Sequence, residues 1–340
     1  IFDDAEAQCE AVSTFPERMS LFYCQDGVIS KGFASILPLL LPFIVGGMSS
    51  LNLLNKLSAG LPSDAPNYLT LTRGLPHNVT TEMDLALWQT AEIIAADEAS
   101  AAVFTQAEGP ALSQAYLAGA LPPIAQTAVA QFMTQYGMRG LGEIDIGQPR
   151  WREEPLHIMQ VLQSYLQIDD PALAPDVVFA RGAAEAESAI EPLAAAVRQT
   201  KFGRVKAKLV PMAARRLRAL AGGRELLKFM IIRLFGLVRA GLLESGVQLA
   251  ADGTIEQPED LFYLTIDELN ALAAGEDRDW KTIITTSRTQ QEREMGRKLL
   301  PRLLLSDGRA FYEGVSSGQE TAAADGALVG SPVSPGVVEG

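Results

Sequence analysis

Apolar residues recur at spacings of three and four through most of this 340-residue chain, a period that suits helices and little else. The pattern runs through residues 83–104, 111–136, 155–168, 183–200, 224–251 and 281–305, while alternating strand patterns are rare. The expected fold is mostly α, with a strand-like C-terminal tail where Val337 and Val338 follow the turn-rich GSPVSPG. Pro and Gly mark loops at GLPSDAPNY, LGEIDIGQPRW, DDPALAP and ADGTIEQPED, none of them long enough to announce a domain boundary.

Composition narrows the partners. With 48% hydrophobic and 20% charged residues the chain can bury a large core, and a formal charge of -13 argues against nucleic acid. Cys9 and Cys24 supply no disulfide framework and no metal-site spacing, so we expect structural burial in a reducing cytoplasm and no metal site. The longest apolar stretch, FASILPLLLPFIVGGM at 33–48, holds Pro38 and Pro42 and is shorter than the ~20 residues of a spanning helix, so no membrane partner is expected. No signal-peptide pattern precedes it, and the opening IFDDAEAQCE lacks an initiator Met, so we expect the true start to lie elsewhere.

Twelve of the 28 Lys and Arg residues fall within 198–239, against the single acid Glu225. That positive zone is either a solvated helical face or a place that receives phosphate. At 100° per residue, Arg224 and Lys228 lie one turn apart and Arg239 falls about 20° from Lys228, so a continuous helix puts all three on one stripe. Gly222 and Gly223 stand just before it, where backbone can come close to a ligand at a helix N-terminus.

A second cluster, QYGMRGLGEIDIGQPRWREEP at 135–155, packs Arg139, Glu143, Asp145, Arg150, Arg152, Glu153 and Glu154 into a glycine-punctuated loop. It is either a functional loop or an ion-pair network pinning loops together. With only His77 and His157, a Ser/His/Asp triad has little support; His157 reads as a helix-face residue and His77 as a loop residue beside a helix start. Thr80 or Thr81 with Asp84, and Thr265 with Glu268, have the spacing of helix caps.

Four ordered strings, GLPHNVTTEMDLALW, YGMRGLGEIDIGQPRWREEP, RELLKFMIIRLFGLVRAGLLESG and GTIEQPEDLFYLTIDEL, resemble the middle region of phosphoenolpyruvate synthase-like dikinases, most closely rifampicin phosphotransferases. GSPVSPGVVEG resembles the first strand of the phosphohistidine domain that follows in that family. The resemblance implies a multi-helix acceptor-binding domain: residues 1–70 an apolar N-terminal helical part, 71–325 the main helical region, and 326–340 a linker and the start of a truncated phosphohistidine domain. ATP and Mg would be handled by an ATP-grasp part and the phosphoryl group by a mobile histidine domain, with no cofactor bound by this chain, which would bind acceptor without turning over. RELLK matches the REYPK string of the family, which gives Arg224 and Lys228 a place at the transfer site; GMRG departs from the family's GHRG, so Met138 stands where relatives have a histidine.

A rifamycin acceptor, large and mostly apolar, needs a broad hydrophobic wall with few polar anchors. Met19, Phe22, Tyr23, Phe33, Leu37, Leu40, Phe43 and Met48 are candidates for that wall, with a core helix pair as the other reading, and His77, Arg139 and Arg239 are candidate contacts. The alternatives are a related dikinase with another acceptor and a noncatalytic helical binding protein.

Overall fold

In the computed structural model of the chain, residues 2–312 are described apart from Gln25, Ser63, Lys298, Leu299 and Arg302. The mostly α architecture holds: the helices are α1 (Phe2–Glu10), α2 (Phe15–Tyr23), α3 (Val28–Ser58), α4 (Val79–Ala96), α5 (Glu98–Gln106), α6 (Gly109–Leu117), α7 (Pro123–Tyr136), α8 (Leu156–Tyr165), α9 (Pro175–Ser188), α10 (Ile190–Arg198), α11 (Gly203–Leu220), α12 (Arg224–Ala251), α13 (Ile266–Ala273) and α14 (Trp280–Met295). A two-stranded antiparallel hairpin, β1 (Leu303–Leu304) and β2 (Ala310–Phe311), pairs Leu303 with Phe311 and Leu304 with Ala310. The chain divides into two units between Lys281 and Thr282, and helices from both sides of residue 70 share the first. The tail expected at 326–340 lies outside the described residues.

Among the described residues, two of the hydrophobic clusters in the first unit bear on the site. One collects Leu87 and Ile94 of α4, Phe104 of α5, Leu112 of α6, Val129 of α7 and Met159 of α8. The other joins Leu54 and Leu57 of α3 to Leu193 and Val197 of α10 and to Val210 and Leu217 of α11. Helix α12 touches both neighbourhoods: it follows α11 through a 3-10 turn at Ala221–Gly223, and its Leu226 and Phe229 pack on the first cluster. It is apolar on most of its faces, with Ile232, Leu234, Val238 and Leu242 buried, as a helix surrounded by others must be.

Sequence and structure part company in several places. Helix α3 runs unbroken through Pro38 and Pro42 for 31 residues, so the apolar segment is longer than the sequence suggests. By length and composition alone the stretch 15–58 is long and apolar enough to cross a membrane; within the first unit α3 packs along α11 and α12. Cys24 is exposed rather than buried. The cap of α4 is Asn78, whose Oδ1 accepts from the amides of Thr80 (3.1 Å) and Thr81 (3.4 Å), not either threonine. The Thr265–Glu268 capping box forms as expected.

The start of α12 is located by close backbone contact. A Cβ at Gly222 would lie 2.0 Å from the carbonyl oxygen of Pro76 and 2.9 Å from the amide nitrogen of Asn78. A Cβ at Gly47 of α3 would lie 2.9 Å from Cα of Ala221. No Cβ fits at either place, so only glycine lets α3, the 76–78 turn and the α11–α12 junction meet. Gly222→Ala should lower the unfolding free energy by about 2 kcal/mol through overpacking. Gly182→Ala, where the added carbon meets nothing nearer than 3.5 Å, should not destabilise. Urea denaturation of both variants checks this; equal midpoints would contradict it.

Candidate functional site

The junction of α3, α11 and α12 encloses an apolar cavity of about 320 Å³. Phe43, Met48 and Leu51 line it from α3, Leu69 and Leu75 from the connecting segment, and Leu217 from α11. Its polar edge consists of Asn78, Thr72, Arg224 and Glu225. Such a lining suits an apolar ligand oriented by a few polar groups.

The segment that closes the cavity is held from α11. Arg218 donates to the carbonyl oxygens of Leu71 (3.3 Å), Arg73 (2.8 Å) and Gly74 (3.1 Å). His77 then turns through a left-handed conformation (φ 60°), which costs a non-glycine residue about 1 kcal/mol and lets the chain pass under Gly222 before α4 begins. Its imidazole is exposed. The double glycine therefore faces protein: Gly222 the 76–78 turn, Gly223 the ring of Phe43.

Arg224 and Lys228 emerge one turn apart on α12, both exposed. Arg224 Nη2 lies 2.5 Å from Glu225 Oε1, a pair at the cavity edge. Lys228 Nζ lies 2.7 Å from Glu143 Oε1 in the 139–155 loop. Glu143 is 4% exposed; its Oε2 accepts from Arg139 Nε (2.7 Å) and from the amide of Gly140 (3.2 Å). Oε1 receives no hydrogen bond of ordinary geometry, so Lys228 acts on it as an ion-pair partner.

Arg239 lies farther along α12 and is 3% exposed. It forks onto Glu153 (2.8 Å and 2.9 Å to Oε2), donates to the carbonyls of Ile146 (2.8 Å) and Gly147 (3.0 Å), and lies 4.7 Å over the Phe262 ring. The expected stripe exists, but its far member is a buried clamp on the loop. Arg150, wholly buried, donates to the carbonyl of Glu143 (2.8 Å), so the loop is an ion-pair and hydrogen-bond network around Glu143. Arg139 belongs to it, 6.0 Å over the Trp151 ring.

The expected apolar wall divides. Phe43 and Met48 line the cavity; Met19 and Phe22 are buried core, with Leu40. Phe33 and Leu37 are exposed on α3, and Tyr23 is half-buried, its hydroxyl pKa raised by desolvation. Leu51, Leu69, Leu75, Asn78 and Leu217 were not expected there; they come from segments far apart in sequence, and only the GLPHN motif hinted at Leu75 and Asn78. Among the described residues no cluster of three or more His, Cys, Asp or Glu is placed to hold a metal.

Burial works against the charge on Glu143, yet the hydrogen bond and charge of Arg139, the Lys228 ammonium paired with it and the Gly140 amide outweigh it and hold the carboxyl below the usual carboxylate range. A carboxyl whose pKa is lower folded than unfolded adds stability above its unfolded value of about 4.3, and loses it as pH falls through the folded value. Glu143→Gln should therefore be less stable than the parent at pH 7, and the gap should narrow as the pH falls below about 4.3. Urea midpoints at pH 7 and pH 3.5 check this; a gap independent of pH would contradict it.

The family model for the fourth domain of rifampicin phosphotransferase matches residues 39–225, which takes in α3 from Leu39, the 69–78 segment and Arg224. The chain is similar to the rifampicin phosphotransferase of Bacillus subtilis (strain 168), 30% identical over 272 residues, 80% of this chain and 31% of that protein. It is similar to that of Streptomyces sviceus, 30% identical over 271 residues (80% and 30%), and to that of Bacillus cereus, 28% identical over 298 residues (87% and 34%). The chain thus spans about a third of the length of the curated relatives it matches.

Proposed function

The chain belongs to the rifampicin phosphotransferase family, and we propose that it is the acceptor-binding region of an ATP-dependent phosphotransferase whose acceptor is a rifamycin antibiotic. The observation that carries this reading is the apolar cavity at the start of α12, edged by Arg224 and Glu225 with Lys228 one turn on. An apolar ligand resting on Phe43, Met48 and Leu217 would present a hydroxyl toward two cations. Phosphoryl transfer depends on positioning and on charge neutralisation, which two guanidinium or ammonium groups supply.

In this reading a phosphohistidine domain elsewhere in a longer protein brings the phosphoryl group. Its P–N bond breaks as the acceptor oxygen forms the P–O bond, and the hydroxyl proton ends on the imidazole nitrogen that gave up the phosphoryl group. Arg224 and Lys228 hold the phosphoryl oxygens during that exchange. ATP and Mg charge the histidine in a separate ATP-grasp part, so the described chain binds acceptor but does not turn over. The setting is the cytoplasm, with neither nucleic acid nor membrane as partner.

Calorimetry of the chain with rifampicin tests the acceptor. Binding is expected at micromolar drug, weakened at least ~10-fold by Met48→Glu, which places a charge against the apolar wall at a half-exposed position. No heat at high micromolar rifampicin would overturn the rifamycin assignment. In the longer enzyme, Arg224→Ala should lower kcat/KM by more than ~10-fold, and unchanged turnover would remove Arg224 from the transfer step.

A further inference from the structure

Glu143 belongs to the loop, not to α12, yet one of its oxygens is turned toward Lys228. We propose that Glu143 is a positioning residue for phosphoryl transfer: a fixed, buried carboxylate that aims the Lys228 ammonium at the incoming phosphoryl group. The proposal rests on Lys228 taking part in transfer as described above.

Three observations carry it. First, the carboxylate is immobilised by the loop itself, through Arg139 and the Gly140 amide on Oε2 and through Arg150 on the Glu143 carbonyl. Second, Oε1 is buried and has no ordinary hydrogen bond, so among the described residues the face it presents to Lys228 at 2.7 Å has no other donor. Third, the Lys228 side chain is 49% exposed although the Glu143 side chain it meets is 5% exposed, so one end of the pair stays open to solvent. Stability accounts for a partner on that buried oxygen, but gives no reason for the partner to remain half in solvent.

Aiming does give one. A lysine side chain has about 2 kcal/mol of rotamer entropy to lose when its ammonium is held in one place. Pairing with Glu143 fixes the ammonium before a phosphoryl group arrives, while Glu143 engages at most one of its three N–H donors. The remaining donors face solvent. The charges also favour an anion: Arg139 and Lys228 around one carboxylate leave a net positive charge at the half-exposed end.

The test is a double-mutant cycle on kcat in the longer phosphotransferase, with Glu143→Gln, Lys228→Ala and the pair. Glutamine keeps an acceptor for Arg139 and Gly140 while removing the charge. Glu143→Gln should lower kcat about 10-fold, with acceptor KM within about twofold, because aiming acts on the transfer step. The double variant should be no slower than Lys228→Ala alone. Losses that multiply would overturn the proposal, as would a normal kcat in Glu143→Gln when Lys228→Ala is slow. A normal kcat in Lys228→Ala would instead overturn the transfer site itself. Should Glu143→Gln fail to fold, Glu143→Asp decides: it keeps the charge one methylene farther back, so a several-fold lower kcat at unchanged KM supports aiming, and a normal kcat overturns it.

Discussion

Everything at the site depends on how closely three backbones meet at the beginning of α12. Gly47 lets α3 approach Ala221, and Gly222 lets the 76–78 turn lie directly against the α11–α12 junction. Those contacts set where Arg224 leaves the protein and leave the neighbouring apolar side chains of α3 and α11 a cavity to line rather than a core to fill. A side chain at either glycine would push α3 or the turn outward and open the cavity along with the junction.

Charge then organises what packing has placed. In an acidic chain the 198–239 cations are not equivalent: Arg218 holds the carbonyls of Leu71, Arg73 and Gly74, Lys228 meets Glu143, and Arg239 is clamped on Glu153. Others, such as Arg204 and Arg215, lie exposed on α11 as a solvated face. The two readings of the positive zone thus apply to different residues. Two cations of α12 hold the same loop from separate turns, so α12 and the 139–155 loop form one supporting surface beside the cavity.

Much of the fold was legible because helical burial writes its period into the sequence; 224–251 was read as one helix and is Arg224–Ala251. Breaks were harder to see. The pattern over 83–104 conceals a stop at Asp97, because α4 and α5 bury the same face in one cluster; the signal was Asp97 capping Ser100 at 3.0 Å. Pro38 and Pro42 pointed to a shorter helix than the one that forms. The Arg224–Lys228 pair was readable from spacing, but the burial of Arg239 was not, since helical phase carries no information about what lies opposite. The cavity was half legible: α3 announced its apolar face, whereas Leu69, Leu75 and Leu217 join it only through tertiary packing.

The central claim is that the cavity beside Arg224 receives the acceptor, and hydrogen exchange with and without rifampicin tests it most directly. Slower exchange is expected in three peptides well separated in sequence, 43–51, 69–78 and 217–225, which together line this cavity. Protection confined instead to the groove lined by Tyr165, Val178 and Gly182, or no protection at all at saturating drug, would contradict it.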